Sequence, residues 1–345
     1  MLTHKSEIPN PKSKIQKRPR GLKWLALCAM LLIVSGLFPS SSRAAERDRP
    51  VRIGALTDGW GPTWEAVGLR DGLKELGYRE NHDFVIGVRF TQGDPAALPK
   101  AAKEFIEQGV DILFTGGRNT AKAAQMATKT IPIVFAGGGD PIGLGLIQSF
   151  SRPGGNITGI SELDLELGPK RLEVFKVMIP GLKRVLFPYS AIDPYSVSEA
   201  IMHRKAARDL KIELVEKAVR TEDEGKAVLR QVKKGEVQGI LSPRPVSLNI
   251  PGCVLEVSSQ MAIPTMFAST FFVESGGLAS YSPHTYESGR MAARLVDKIL
   301  KGQSPAEIPV EVNPKIEFLI NLKVGKELGI KISPEALFRA NRVIR

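Results

Sequence analysis

Residues 131–161 read IPIVFAGGGDPIGLGLIQSFSRPGGNITGIS, and no other stretch restricts the fold as much. The run Ile131-Pro-Ile-Val-Phe135 is apolar and β-branched, the pattern of a buried strand. It breaks into Gly137-Gly138-Gly139-Asp140-Pro141, a loop whose bare backbone lets N–H groups approach a ligand. After a short apolar turn, Gly154 and Gly155 lead into a second strand at 157–161. Strands before and after this stretch then belong to two halves of the molecule. Residues 154–161 are expected to be the crossover between them, and the 137–141 loop one wall of a cleft.

The rest of the chain fits that division. A strand at 51–57 is followed by a helix from Trp64, closed by Gly77. Phe84, Ile86, Val88 and Phe90 alternate as a half-buried strand. Leu98, Ala101, Ala102, Phe105 and Ile106 form one helical stripe stopped by Gly109. A strand at 111–115 ends in Gly116-Gly117-Arg118-Asn119, with Asn119 placed to cap a helix over 120–129. Four strand–helix repeats at this spacing require a parallel sheet with right-handed crossovers. Residues 168–302 repeat the alternation, ending in a strong helix over 286–302 with Ala292, Leu295, Val296 and Ile299 on one side. The fold class is α/β, with two doubly wound parallel sheets.

The formal charge of +12 raises the question of nucleic acid, but +7 of it lies in residues 1–45, which hold eight Lys or Arg and one acid. The remaining +5 argues little about partners, and none made of nucleic acid is expected. The N-terminal segment reads as an export signal: a basic leader, an apolar run over 24–38, then small residues suited to cleavage after Ala44. A 1–44 signal peptide and a periplasmic mature chain are expected. Beyond it stands one cysteine, Cys253, so no disulfide within the mature chain and no cysteine metal site can form. Cys253 reads as a small buried apolar residue.

Phosphate-cradling glycine fingerprints, metalloprotease helices and nucleophile elbows are all missing from the sequence. No nucleophile–base pair stands out; His82 and His203 read as exposed, and His284 as a cleft or loop residue. An enzyme is disfavoured, and neither cofactor nor metal is expected. Chemistry concentrates instead at the carboxyl ends of strands, where open parallel sheets bind ligands. Those ends offer Thr57, Asp58, Gly59 and Trp60, then Gly117 and Asn119, then Gly138, Gly139 and Asp140. The second half adds Tyr189, Ser190, Ser242, Ser269, Phe271 and Tyr281. Hydroxyls and N–H groups beside helix N-termini favour a carboxylate. Asp58, Asp140 and Asp193 suit an ammonium, and the aromatic residues suit an apolar or planar body.

Several longer runs carry a resemblance: GLKELGY (72–78), the 131–161 stretch, LGPKRLEVFKVMIPG (167–181), ESGGLASYSP (274–283), VDKILKG (296–302) and FLINLKVGKELGIKISPEAL (318–337). From residue 51 onward the chain resembles the ABC-transporter substrate-binding proteins of type I periplasmic-binding fold, the group with tryptophan-binding lipoproteins. The resemblance implies two lobes joined by a hinge of three crossings, near 156–161, 283–287 and 311–316. The first lobe would be 51–156 with 284–311, and the second 157–283 with 312–345. It further implies a monomeric receptor that captures a small organic ligand, an amino acid or other carboxylate, and presents it to an ABC permease in the inner membrane. Two departures border the cleft, the prolines of Ser242-Pro-Arg-Pro-Val-Ser-Leu-Asn249 and Pro188 after Phe187. Alternatives that the sequence leaves open are a receptor for a sensor kinase or chemoreceptor, an α/β enzyme, and the effector domain of a sugar-type repressor.

Overall fold

The computed structural model describes residues 49–59, 63–137, 139–162, 164–242 and 253–345. The expected signal peptide, Trp60, Gly138 and the proline-rich 243–249 segment lie outside the described residues. Among those described, no helix is long and apolar enough to cross a membrane.

The first sheet contains β1 (Val51–Thr57), β2 (Phe84–Phe90), β3 (Ile112–Gly116), β4 (Ile133–Ala136), β5 (Ile157–Glu162) and β11 (Glu311–Asn313). Its order is β11-β5-β4-β3-β1-β2 with every pairing parallel. The second contains β6 (Arg184–Ser190), β7 (Glu213–Val219), β8 (Gly239–Leu241), β9 (Thr265–Phe267), β10 (Ala279–Pro283), β12 (Ile316–Asn321) and β13 (Arg342–Ile344). Its order is β13-β12-β10-β9-β8-β6-β7, and only the β10–β12 pair is antiparallel.

Each sheet therefore opens with the same pattern. The first strand sits between the second and third, β1 between β2 and β3, and β6 between β7 and β8. Where connections leave in opposite directions a crevice forms beyond the strand ends. The two halves share this plan without obvious sequence similarity, so the alternation of elements and not particular residues carries it.

Helices cover both faces of both sheets. In the first lobe α1 (Trp64–Glu75) and α9 (Thr285–Leu300) bury Leu69, Leu73, Ala292, Ala293, Leu295 and Val296 on one face. On the other, α2 (Leu98–Glu107) and α3 (Arg118–Ala127) bury Leu98, Ala102, Phe105, Ala121 and Ala124. In the second lobe α4 (Asp164–Met178), α5 (Pro194–Asp209) and α11 (Pro334–Arg339) pack Phe175, Met178, Ala200, Ala207 and Ala336 against Phe187 and Phe318. The opposite face is closed by α6 (Glu222–Arg230), α7 (Cys253–Met261) and α8 (Thr270–Glu274), and α10 (Leu322–Glu327) follows β12.

The α1–α9 contact depends on glycine. A Cβ on Gly68 would lie 2.0 Å from the Tyr286 carbonyl oxygen, and one on Gly289 would lie 1.9 Å from that of Glu65. Backbones this close leave no room for any side chain, and the contact fixes the start of α9 to the first lobe.

The expected boundary after Asn156 needs correction. Residues 157–162 are β5, paired with β4 on one side and β11 on the other, so the chain leaves the first sheet only after Glu162. The apolar Ile157 and Ile160 are buried in the first lobe's core, which holds this segment in the sheet. The other passages run from β10 at Pro283 to α9 at Thr285, and from β11 at Asn313 to β12 at Ile316. All three are tied together at one buried point. The Ser288 hydroxyl donates to Glu162 Oε1 at 2.5 Å, and Asn313 Nδ2 donates to Ser288 Oγ at 2.8 Å and to the His284 carbonyl at 3.1 Å.

Other expectations change locally. The helix after β3 starts at Arg118, with Gly117 at the N-cap, and Asn119 lies exposed within its first turn without capping it. His203 is buried, not exposed, because its face of α5 is covered by α4. Cys253 is half-buried, and burial pushes its thiol up from the ordinary value.

Candidate functional site

Parallel pairing brings the first-lobe strand ends side by side, with Thr57 opposite Gly116 and Gly116 opposite Ala136. Thr57 is buried and its hydroxyl accepts from the Gly59 N–H at 3.1 Å, shaping the turn out of β1. The Gly117 N–H donates to the Ala136 carbonyl at 2.8 Å, so the loops after β3 and β4 are joined directly. Gly139 holds φ at 63°, in the left-handed region that favours glycine, and its carbonyl accepts from the Ser161 hydroxyl at 3.2 Å. Asp140 is exposed, and its carboxylate accepts from the Gly143 N–H at 2.9 Å, so it closes a turn.

Two carboxylates stand behind this edge. Burial raises the Asp58 carboxyl above its ordinary value, against the opposing pull of its own backbone N–H and of the Arg118 charge. Burial likewise raises Glu65, in the first turn of α1; its own N–H and the Thr63 hydroxyl oppose this, and the charge of Asp58 adds to it. The Glu65 carboxylate would lie 3.8–3.9 Å from a Cβ on Gly116, which places it at the end of β3.

The second lobe sends α5 to meet these loops. Asp193 caps that helix, accepting from the Tyr195 N–H at 3.2 Å and the Ser196 hydroxyl at 2.8 Å. The same carboxylate receives both terminal nitrogens of Arg118 from the opposite lobe, Nη1 to Oδ1 at 3.1 Å and Nη2 to Oδ2. Burial alone would push Asp193 up, but the bonds and charge of Arg118 and the two helix-start donors hold it below the ordinary carboxylate value. Arg118 also lies over the Tyr195 ring, its Cζ 4.4 Å from the ring centre. The edge of that ring would be 3.1 Å from a Cβ on Gly139. The lobes thus touch through Arg118 and Gly139 on one side and Asp193 and Tyr195 on the other.

The remaining second-lobe residues are arranged differently. Tyr189 is half-buried against the core beneath α5, stacked at 5.8 Å on Phe187, and its hydroxyl accepts from Arg204 at 3.2 Å. Ser190 is half-buried at the end of β6, and Ser242 is buried at the end of β8, its N–H donating to the Met266 carbonyl. Ser269 caps the short helix α8, accepting from the Phe271 N–H at 3.3 Å, while the Phe271 ring is exposed. Tyr281 packs edge-on against Phe318 and its carbonyl accepts from Arg171 Nε at 3.0 Å. Toward the hinge, a cavity of about 150 Å³ is lined by Trp64, Thr270, His284, Thr285, Tyr286, Glu317 and Arg342. Both lobes contribute to its walls.

Arg118, Glu65 and Tyr195 are the residues that reading strand ends for glycine and hydroxyl does not reveal. Arg118 carried a signal nonetheless: a cation in the first turn of a helix opposes the helix dipole, and Asp193 across the cleft supplies the compensation.

Comparison with known proteins adds a common theme. The family model described as ABC transporter substrate binding protein matches residues 57–344. A tyrosine-binding protein of Clostridioides difficile (strain R20291) is 28% identical over 266 residues, 76% of this chain and 76% of that protein. The structure of the ABC domain in complex with L-Trp from Streptococcus pneumonia is similar at 27% identity with a TM-score of 0.75, covering 86% of this chain and all of that one. A conserved domain protein from Vibrio cholerae O1 biovar eltor gives the same TM-score at 29% identity and the same coverage.

Proposed function

Because this chain belongs to the ABC transporter substrate-binding protein family, whose members bind solutes rather than transform them, we propose that it is the exported receptor of an importer for an amino acid with an aromatic or apolar side chain. The observation that carries this reading is that strand-end loops of the two lobes meet through charged and aromatic residues, Arg118 of the first against Asp193 and Tyr195 of the second. Relatives described as a tyrosine-binding protein and as a complex with L-Trp support the ligand class. Thr57, Asp58, Gly59 and Gly117 supply backbone and side-chain groups at the first-lobe edge, and Gly139 admits close approach of the second lobe. Lobe closure around the ligand would produce the form that a permease recognises.

The test is ligand-dependent stabilisation followed by calorimetry with the twenty amino acids, purines and small organic acids. A ligand present at one hundred times its Kd adds about 2.7 kcal/mol to folding stability, which a melting curve resolves readily. Stabilisation by tyrosine, tryptophan or another apolar amino acid is expected; stabilisation by purines or sugars alone would sink the reading. Export is checked separately by sequencing the N-terminus of the protein recovered from the periplasmic fraction, where a start near Ala45 is expected.

A further inference from the structure

Resting on that reading, we infer that Arg118 and Asp193 are the specificity pair of the site: they part to take the ligand's carboxylate and ammonium, so that the substrates are free α-amino acids and not simple acids or amines. Arg118 belongs to the first lobe and Asp193 to the second, so their two-pronged ion pair exists only while the lobes are together. Opening the cleft must break it. Both side chains are mostly shielded, with about a fifth of each exposed, so neither charge is left unpaired cheaply when the lobes close again.

An amino acid carries the same two charges within one small molecule. Its carboxylate matches the fork of the guanidinium, and its ammonium suits the carboxylate that Arg118 releases. One ion pair across the cleft becomes two, each joining a lobe to the ligand. The Tyr195 ring stays under the guanidinium, and the Asp58 carboxyl on the first-lobe side also feels the Arg118 charge. A ligand lacking its ammonium would leave Asp193 facing no cation, and one lacking its carboxylate would leave Arg118 unmatched. Sites that pair a buried polar group reject analogues lacking the partner far more strongly than they sense a missing methylene.

The experiment is a matrix of four proteins and three probes measured by calorimetry: wild type, Asp193→Asn, Arg118→Gln and Arg118→Lys against tryptophan, indole-3-propionate and tryptamine, with tyrosine and its two analogues run alongside. Asparagine keeps the helix cap while removing the charge, so Asp193→Asn should fold, and its melting curve verifies this. Wild type should prefer the amino acid over either analogue by about a hundredfold or more. Asp193→Asn should weaken the amino acid by at least about tenfold, and indole-3-propionate should gain relative to it. Arg118→Gln should do the converse, penalising the two carboxylates and sparing tryptamine, and Arg118→Lys should recover part of the loss because it restores charge without the fork. Equal weakening of all three probes by both variants would mean that the pair is a clasp closed over the ligand, and no effect would mean that it lies outside the site; either overturns the inference. Failure of the receptor reading looks different, since the wild-type protein would then bind no amino acid at all.

Discussion

The two lobes share a strand order but not a way of holding it together. In the first, α1 and α9 meet backbone to backbone through Gly68 and Gly289, and the core between helices and sheet is apolar, mostly aliphatic with Phe84 and Phe114. In the second, α4 and α5 enclose charge. Arg171 Nη1 donates to Glu199 at 3.2 Å, His203 stands 3.6 Å from the same carboxylate, and all three side chains are about 1% exposed or less. The Arg171 Nε bond to the Tyr281 carbonyl links this group to β10 as it approaches the hinge, and the His203 ring meets Phe187 edge-on at 4.8 Å. The helix pair of the first lobe is set by steric exclusion, and that of the second by a buried ion pair. These respond differently to perturbation.

The largest effect is expected from breaking the buried charge group. Arg171→Met strands Glu199 in the core, and urea unfolding should show a loss of about 3–5 kcal/mol. A mutant within about 1 kcal/mol of wild type would show that the group's charges do not set the lobe's stability. Next comes Gly289→Ala, where an added methyl meets the Glu65 carbonyl and forces α1 and α9 apart. Overpacking of this kind costs about 1–3 kcal/mol, and because the contact also seats the hinge, the ligand affinity of the variant should fall with it.

A smaller effect separates the lobes by pH. Asp58 and Glu65 in the first lobe have raised carboxyl values, so the folded state binds protons that the unfolded chain has released. Stability from them falls as pH climbs from the ordinary carboxylate range, about 4, through their higher folded values. Asp193 is depressed, so its contribution is complete above the ordinary value and is lost as pH drops through its folded one. Asp58→Asn should flatten the loss on the neutral side of an unfolding-against-pH curve, and Asp193→Asn the loss on the acid side. Identical curves for both variants would contradict the assignment. At the bottom of the scale, Glu335→Gln removes an exposed ion pair with Arg339 and should change stability by less than about 0.5 kcal/mol.

What the sequence revealed follows the same contrast. Alternation and turn residues fix the order of elements, so both sheets and nearly all of their strands are legible from periodicity. Which face a residue occupies is legible only where parity is followed through. Phe187 and Tyr189 are two apart on one strand and share a face; with Phe187 in the core, Tyr189 is drawn beneath α5. The spacing of Glu199 and His203 matches an ordinary exposed helical pair, and only the packing of α4 on α5 turns it inward. Arg118 was hidden in a loop that reads as glycine, because its partner is 75 residues away in the other half.

The strand β11 has a further consequence, for the order in which the molecule can be made. The first sheet begins at Val51, yet its last strand ends at Asn313 and much of one face is covered by α9. A chain emerging N-terminus first must therefore carry an unfinished sheet until roughly nine-tenths of the polypeptide has been synthesised. Neither lobe corresponds to a continuous stretch of the gene. A nascent chain built this way can complete neither sheet until nearly its whole length has been made, because β11 closes the first and β12 and β13 close the second.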